Sequence, residues 1–351
     1  MGNINFTHGG NLYEAEKKYG KKLIDFSANI NPLNMPESLK NKLFDNFEKI
    51  LNYPDPDNSK MIRKIADYWG IKENNILVGN GSVELIYLLA NVYKPRTAVI
   101  PVPTFSEYER ALRLVKTDIT FLRLKEKHQF CLEVPGNSAN PDIFFVCNPN
   151  NPTGNLLIKN RKHAVIRHQK CLVVDEAFMD FLPEQNKHTL VTEAVGNKRI
   201  VVLRSFTKFF AIPGLRLGYL VAHHDVIEKL KQYQLPWNVN FLAQIAGELV
   251  LEDTEYALKT YDIIEKEKRF LLKQLSRFGT LQCFPSDANF ILIKMTAKRH
   301  SSQDFKARLA KKGILVRDCK NFRTFKSQYI RIAVRSRKEN LKLINAFKEE
   351  L

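Results

Sequence analysis

The chain has 351 residues, 44% of them hydrophobic and 26% charged, which is typical of a globular protein with one large and one smaller domain. Its formal net charge of +18 raises the question of nucleic-acid binding, but the lysines and arginines are mixed with acidic residues at helical spacing and no nucleic-acid-binding motif accompanies them. The sequence has no membrane-spanning apolar stretch and no secretory signal, so we expect a cytoplasmic protein that binds no membrane. Its five cysteines include no CxxC pair, which indicates reduced thiols and no metal site. We also expect no binding to nucleic acid.

The predicted elements begin with an arm, residues 1–35, which ends in the turn-rich stretch DFSANINPLNMP. A large α/β domain follows over residues 36–236, and its first element is an amphipathic helix in PESLKNKLFDNFEKILN with Pro36 near the helix start. Short apolar strands then alternate with helices, and the strand segments are NILVG, TAVIP, DIFFVC, CLVVDEAF, RIVVLRSF and LRLGYLVA. This alternation predicts a mostly parallel sheet with crossover helices and a ligand at the carboxyl ends of its strands.

A smaller α+β domain is predicted over residues 237–351. It starts with a long helical tract that extends from FLAQIAGELVLEDTEYALK to KRFLLKQLSRF. The segments CFPSDANFILIKM and YIRIAVR then supply its strands. The domain boundary is placed near Trp237, where the helical tract begins.

Three strand ends of the large domain carry residues suited to binding a flat, phosphorylated ligand. Ser82 and Val83, in GNGSVELI, follow a strand and open a helix, so their backbone amides can face a phosphate. Phe105, in PVPTFSEY, could stack on a ring, and Asn151, in NPNNPTG, offers an amide that can donate to a phenolate oxygen. Each feature alone is equally compatible with an ordinary turn or a core side chain.

Two further strand ends carry charge. Asp175 ends the apolar strand in VVDEAFMDF, where a buried carboxylate requires a cationic partner such as a protonated pyridine nitrogen. Lys208 lies inside the apolar run RSFTKFFAIPGLRLGY, close to Ser205, Thr207 and Arg216. Its amine can form an imine with an aldehyde, while the hydroxyls and Arg216 can bind a phosphate.

In combination these residues match what pyridoxal 5′-phosphate requires from a protein. They supply a phosphate site, a stacking ring, a donor to the phenolate oxygen, a partner for the ring nitrogen and an amine for the aldehyde. Burial and the neighbouring Arg216 are expected to lower the pKa of the Lys208 amine. The sequence therefore predicts a pyridoxal-phosphate enzyme.

The sequence resembles fold-type I pyridoxal-phosphate enzymes of the aspartate aminotransferase-like group, close to the histidinol-phosphate aminotransferases. Its closer match is the family of threonine-phosphate decarboxylases of cobalamin biosynthesis. The resemblance extends from His8 to about Asn340, and it depends on HGGN, LIDFSANINPL, NYPDPD, GNGSVE, NPNNPTG, VVDEAFMDF, RSFTKFFAIPGLRLGYLV, QLPWNVN and ILVRDCKNF followed by YIRIAVRSRKEN. Phe178, where many aminotransferases have a tyrosine, agrees with the decarboxylases, and the short segment between Gly154 and Cys171 implies a trimmed crossover helix.

The resemblance implies a role for each matching residue. Lys208 is similar to the catalytic lysine of the family, and Asp175 to the partner of the pyridine nitrogen. The other cofactor contacts would come from Ser82, Val83, Phe105, Asn151, Ser205, Arg216 and, from the other subunit, Tyr53. The substrate contacts would come from His8, Asn29, Arg317 and Arg331. Because Tyr53 would act across subunits, the resemblance implies a homodimer with shared active sites.

The activity implied by the resemblance is decarboxylation of L-threonine O-3-phosphate to (R)-1-amino-2-propanol O-2-phosphate for the cobalamin nucleotide loop. L-serine O-phosphate is an expected second substrate, because a single methyl group is a weak basis for discrimination. The alternative is a histidinol-phosphate aminotransferase, which shares the cofactor residues, and the alternative from another class is a basic nucleic-acid-binding protein. The sequence leaves open which arginine binds phosphate and which binds carboxylate.

Overall fold

The computed structural model describes residues 8–133, 140–160, 165, 170–297 and 301–351. Its helices are α1 (Leu12–Tyr19), α2 (Glu37–Asp45), α3 (Ser59–Trp69), α4 (Ser82–Tyr93), α5 (Glu107–Leu114), α6 (Val191–Gly196), α7 (Phe206–Phe209), α8 (His224–Lys231), α9 (Phe241–Leu249), α10 (Thr254–Leu275), α11 (Ser302–Lys311) and α12 (Arg337–Glu350). None of these helices is both long enough and apolar enough to cross a membrane. Half of the segment between Gly154 and Cys171, which was expected to be a trimmed crossover helix, lies outside the described residues.

The strands form three sheets. They are β1 (Ile24–Asp25), β2 (Ile76–Gly79), β3 (Thr97–Val102), β4 (Asp118–Arg123), β5 (Ile143–Cys147), β6 (Leu172–Asp175), β7 (Ile200–Ser205), β8 (Gly218–Ala222), β9 (Leu281–Cys283), β10 (Phe290–Met295), β11 (Ile314–Leu315), β12 (Arg317–Asp318) and β13 (Tyr329–Ala333). The largest sheet has seven strands in the order β2-β8-β7-β6-β5-β3-β4. The predicted mostly parallel sheet is therefore confirmed.

One strand departs from the expected parallel direction. β8 is antiparallel to both of its neighbours, β2 and β7, whereas β3 to β7 pair in parallel. A parallel crossover needs a dozen or more residues and usually a full helix. Between β7 and β8 the chain forms only the four-residue α7 and a short 3-10 turn, so it returns beside β7 in the opposite direction.

The seven-stranded sheet has an apolar core on each face, because neighbouring side chains of a strand point to opposite faces. On β6, Val173 packs in the core that includes α4, α5 and α8. Val174 packs in the larger core on the other face, with side chains of α3, α9 and α10. The larger core continues into the small sheet through Phe290 and Ile332. With both faces covered, only the strand ends remain for a polar site.

Two predicted helices are interrupted. The first predicted helix ends at Asp45, and residues Phe47–Leu51 form a separate 3-10 turn. The long tract after residue 240 is divided into α9 and α10 at Asp253, whose side chain accepts a hydrogen bond from the backbone N–H of Tyr256. An Asp that satisfies a backbone donor of the first turn is a favourable N-cap, so it begins a new helix within the apolar pattern.

The arm and the C-terminal region are linked by backbone pairing. β1 of the arm pairs in parallel with β11, which precedes β12 of the four-stranded antiparallel sheet ordered β12-β13-β10-β9. Phe26 also accepts a hydrogen bond from the backbone of Ala333, the last residue of β13. These pairings hold the residues that follow β1 against the ends of β12 and β13, over the edge of the large sheet where β5, β6 and β7 end.

Candidate active site

A cavity of about 210 Å³ lies at the carboxyl ends of β5, β6 and β7. This is the edge at which a mostly parallel sheet is expected to bind its ligand. The predicted site residues that line it are Lys208, Asp175, Ser82, Phe105, Asn151, Ser205, His8, Asn29, Arg317 and Arg331. The structure thus brings together residues from the arm, the large sheet and the small sheet. Val83, Arg216 and Tyr53 do not line the cavity.

Lys208 belongs to α7, the single helical turn that follows β7, and its side chain reaches the cavity. Burial lowers the pKa of Lys208 to about 8, helped by the cations Arg216 and Arg331 and opposed by Asp175 and Asp25. A larger fraction of its amine is therefore unprotonated near neutral pH than for an ordinary lysine. The unprotonated amine is the form that attacks a carbonyl carbon.

Asp175 is the last residue of β6, and its carboxyl group is buried beside the cavity. The Tyr108 hydroxyl donates to Oδ2 at 2.6 Å, and the backbone N–H of Ala177 donates to Oδ1 at 3.0 Å. Burial nevertheless raises the pKa of Asp175, because these two neutral donors and the charge of Lys208 offset only part of the desolvation. The carboxylate would be stabilised by a cationic group bound in the cavity.

The N-terminus of α4, next to Arg216, is a candidate anion site. Gly81 precedes α4 with φ of +79°, and a Cβ at this position would lie only 2.6 Å from Nη2 of Arg216. Gly218 is equally constrained, since its Cβ would lie 2.6 Å from the backbone nitrogen of Ser82. These close approaches place a guanidinium at the N-terminus of a twelve-residue helix, where backbone N–H groups favour an anion.

The hydroxyl groups expected at the anion site lie at the end of β7. The hydroxyls of Ser205 and Thr207 are 2.8 Å apart, both residues are buried, and both line the cavity. Val83 lies in the first turn of α4, so its contribution would be a backbone amide and not a side chain. Arg216 reaches the helix N-terminus from a backbone with φ of +59° and is exposed to solvent.

Arg331 connects the small sheet to the predicted cofactor contacts. From the centre of β13 its Nη1 donates to Oδ1 of Asn151, and its Nη2 donates to the backbone oxygen of Ser27 at 2.7 Å. With Oδ1 engaged, the amide nitrogen of Asn151 is the group that can donate to a ligand. Burial lowers the pKa of Arg331 to about 10, with Arg317 acting in the same direction, so the side chain stays charged at neutral pH.

Arg317 and Asn29 complete the wall formed by the small sheet and the arm. Arg317 lies on β12, its Nη2 donates to Oδ1 of Asn321 at 2.7 Å, and burial lowers its pKa. Asn29 is buried, and its Oδ1 has no hydrogen-bond partner among the described residues. A buried acceptor without a partner costs free energy unless a ligand or water supplies a donor. Asn29 is thus suited to contact a ligand that carries N–H or O–H groups.

His8 and Phe105 lie side by side at the mouth of the cavity. Their ring centroids are 5.4 Å apart and their ring planes form an angle of 44°, and Phe105 packs edge-on against Tyr108. Nε2 of His8 is 2.7 Å from Oε1 of Glu107. Phe105 is therefore held between the arm and the tyrosine that binds Asp175, with its ring beside the cavity.

Tyr53 lies outside this arrangement. Its side chain is 80% exposed and its ring packs against Trp237 at a centroid distance of 4.8 Å. It does not contribute to the cavity of its own chain. Its assignment to the site of a second subunit remains a prediction.

Several residues at the site were not predicted from the sequence. Tyr108 and Glu107 begin α5 directly after Phe105, and Ser27, Asn321 and Phe322 line the cavity. Tyr108 could have been suspected, because it lies only three residues after Phe105, in the first turn of α5. Glu107 gave no such signal, since its partner His8 is 99 residues away along the chain.

Known proteins resemble this chain over nearly its whole length. The family model for aminotransferase class I and II matches residues 21–347. The threonine-phosphate decarboxylase of Salmonella typhimurium is 38% identical, covering 100% of this chain and 98% of that protein. The histidinol-phosphate aminotransferase of Clostridium novyi is 33% identical, covering 96% of this chain and 93% of that protein. The crystal structure of L-threonine-O-3-phosphate decarboxylase from Porphyromonas gingivalis has a TM-score of 0.82 at 27% identity, covering 92% of this chain and 98% of that chain.

Proposed function

The chain belongs to the class I and II aminotransferase family, and from that membership we propose that it is a pyridoxal-phosphate-dependent decarboxylase of L-threonine O-3-phosphate. The observation that carries the proposal is one cavity that contains the Lys208 amine, the buried Asp175 carboxyl group and two arginines of the small sheet. The similarity to threonine-phosphate decarboxylases supports the choice of reaction and its place in cobalamin biosynthesis.

The cavity fits pyridoxal 5′-phosphate on three counts. The anion site at the start of α4, with Arg216, suits the phosphate group. Asp175 is a buried carboxyl group that has no cation at hydrogen-bond distance in the described part of the chain, which suits a protonated ring nitrogen. Lys208 has a lowered pKa, which suits covalent attachment of the aldehyde carbon.

When bound, pyridoxal 5′-phosphate supplies an electron sink for the electron pair left at Cα by the departing carboxylate. The protein residues then determine which bond at Cα breaks, because only a bond perpendicular to the ring plane can give up its electrons to the ring. Arg317 and Arg331 lie on one wall of the cavity and can fix the two anionic groups of the substrate. With pyridoxal 5′-phosphate bound, Phe105 and Asn151 would contact it, and Asp175 would stabilise a protonated ring nitrogen. Lys208 or a water would supply the proton that Cα takes up after CO2 is lost.

The substrate class follows from the charges around the cavity. His8, Arg317 and Arg331 line it together, and the two arginines carry positive charge. A ligand with two anionic groups, a carboxylate and a phosphate, matches this arrangement. Each charge-assisted contact contributes about 1.5–3 kcal/mol. Free threonine should therefore be several orders of magnitude less efficient than threonine phosphate.

The test is a comparison of purified enzyme with threonine phosphate, serine phosphate, histidinol phosphate plus 2-oxoglutarate, and free threonine. We expect CO2 and 1-amino-2-propanol phosphate from threonine phosphate. Serine phosphate should be accepted with roughly 10–200-fold lower efficiency, since one methyl group contributes about 1–3 kcal/mol. Comparable efficiency with free threonine would refute the two-anion substrate.

The same assay distinguishes decarboxylation from the alternative reaction, amino transfer. The 33% identity to a histidinol-phosphate aminotransferase makes amino transfer the second candidate. Only an aminotransferase makes glutamate from 2-oxoglutarate. Glutamate formation from histidinol phosphate without CO2 release from threonine phosphate would establish amino transfer in place of decarboxylation.

A further inference from the structure

Glu107 is a buried carboxylate just behind the cavity. It is the first residue of α5, its surface is only 4% exposed, and it is not among the residues that line the cavity. The Tyr87 hydroxyl lies 2.6 Å from Oε2 and Nε2 of His8 lies 2.7 Å from Oε1. Nη1 of Arg110 is more distant, 3.8 Å from Oε2. Glu107 thus reaches the cavity only through His8.

The protonation states of this group are fixed by its hydrogen bonds. Burial alone would raise the pKa of Glu107, but the hydrogen bonds from His8 and Tyr87 outweigh burial and lower the pKa below its ordinary value. Burial and the neighbouring carboxylate raise the pKa of Tyr87 to about 12, so its hydroxyl is neutral and donates. Glu107 is therefore an anion that can only accept hydrogen bonds.

The tautomer of His8 follows from this. Because both oxygens of Glu107 accept, Nε2 of His8 must carry a proton. Nδ1 is then the ring nitrogen that remains for a ligand in the cavity. In the neutral ring Nδ1 is an acceptor, which suits no phosphate oxygen, whereas in the charged ring Nδ1–H is a donor. A donor at Nδ1 therefore requires a ring that carries protons on both nitrogens, with Glu107 and the phosphate as the two acceptors.

We propose that Glu107 is a positioning residue that holds His8 with Nδ1–H directed to the substrate phosphate and so favours phosphorylated over unphosphorylated amino acids. The inference rests on the proposed function, because it requires a phosphorylated amino acid as substrate. Phe105 supports the same orientation by packing against the His8 ring. The specificity for phosphate then depends on a carboxylate that never touches the substrate.

The first experiment is steady-state kinetics of Glu107→Gln. This substitution keeps the shape of the side chain and removes its charge. We expect KM for threonine phosphate to rise about 10- to 100-fold, the effect of one charge-assisted hydrogen bond, with kcat within a few-fold of wild type. The efficiency with free threonine should be unchanged. An equal loss for both substrates would overturn the proposal, because a merely structural role would affect them alike.

Two further variants separate positioning from general destabilisation. In a His8→Ala background, Glu107→Gln should have no additional effect on KM, since Glu107 acts through His8. Tyr87→Phe is the matched control, because it removes a hydrogen bond from Oε2 and leaves the bond between His8 and Oε1. Its effect on KM should be only a few-fold. A full Glu107→Gln effect in the absence of His8 would overturn the proposal.

A spectroscopic measurement keeps this inference separate from the proposed function. The ¹⁵N resonances of the His8 ring, assigned by their loss in His8→Ala, should show a protonated Nε2 in the free wild type and protons on both nitrogens when threonine phosphate is bound. In Glu107→Gln the uniform protonation of Nε2 should be lost. A wild-type ring protonated at Nδ1 and not at Nε2 would overturn the inference, whatever reaction the enzyme catalyses. Absence of CO2 release by the wild type, with a protonated Nε2, would overturn the proposed function and leave the positioning of His8 by Glu107 supported.

Discussion

Arg204 donates from Nη1 to Oε2 of Glu176 over 2.9 Å, and both side chains are completely buried. Glu176 directly follows Asp175, and Arg204 directly precedes Ser205. Because consecutive side chains alternate between the two faces of a strand, the ion pair lies on the face opposite to the cavity. It joins the ends of β6 and β7 behind the residues of the candidate site. Asp180 and Gln185 accept further hydrogen bonds from Nη2.

Removal of one partner of this pair should destabilise the protein strongly. We expect Arg204→Met to lower the free energy of unfolding by about 3–5 kcal/mol, because it leaves buried carboxylates without their cation. The exposed pair of Arg63 and Glu73, at 3.2 Å, provides the matched control, and Arg63→Met should cost less than about 1 kcal/mol. Urea denaturation measures both values. Equal losses in the two variants would contradict the importance of burial.

Lys208→Ala should abolish turnover and the absorbance of the covalently attached cofactor while the fold stays intact. The reason is that no other lysine lines the cavity among the described residues. Circular dichroism checks the fold, and absorption spectroscopy checks the attachment. If the variant decarboxylated threonine phosphate at the wild-type rate, Lys208 could not be the nucleophile.

The covalent attachment of an aldehyde to Lys208 should depend on pH around its lowered pKa. The neutral amine is the reactive form, so the rate of attachment of pyridoxal 5′-phosphate to the cofactor-free protein should rise with pH and level off above about 8. Arg331→Met removes a cation that disfavours the charged amine, so it should move the midpoint to higher pH. Stopped-flow absorbance measures the rate. A midpoint near 10.5, the ordinary value for lysine, would contradict the structure.

Asp175 should matter for turnover through its charge and not through its shape. We expect Asp175→Asn to reduce kcat by at least about 100-fold, because the amide cannot stabilise a protonated ring nitrogen. Tyr108→Phe removes only the 2.6 Å hydrogen bond to Oδ2, so it should cost about 10-fold or less. A larger loss in Tyr108→Phe than in Asp175→Asn would reverse the roles assigned to the two residues.

The proposed contribution of Tyr53 across a dimer can be tested by complementation. Tyr53→Phe should weaken cofactor retention, and mixing it with Lys208→Ala should restore activity, because one of the two sites in each mixed dimer then has both native residues. Activity of the mixture relative to each variant alone, with sedimentation velocity at micromolar concentration, provides the measurement. A purely monomeric protein would rule out this role of Tyr53.

Much of the large sheet could be predicted because its signals are local. Buried strands such as FFVC and LVVD are continuous apolar runs, and Asp175 and Lys208 stand out as charged residues within such runs. Asn151, Ser82 and Phe105 follow strand ends, where the topology of a parallel sheet brings them to one edge. The break at Asp253 was missed, because an N-cap inside an apolar periodic pattern does not change the periodicity. The division of the chain into three segments, with a boundary near Trp237, stays a prediction.

The sequence alone supplied the chemical groups of the site: an amine, a carboxyl group, hydroxyls and arginines at strand ends, in an order that matches a known family. It also predicted that burial and Arg216 lower the pKa of Lys208. The long-range partners came only from the three-dimensional structure: Arg331, 123 positions later in the chain, adds to the lowering of the pKa of Lys208, and the tautomer of His8 depends on Glu107. The direction of β8 was likewise decided by the short turn at α7. The physical reason is that burial and through-space charge act over a few ångströms between residues far apart in sequence, and no local pattern encodes such distances.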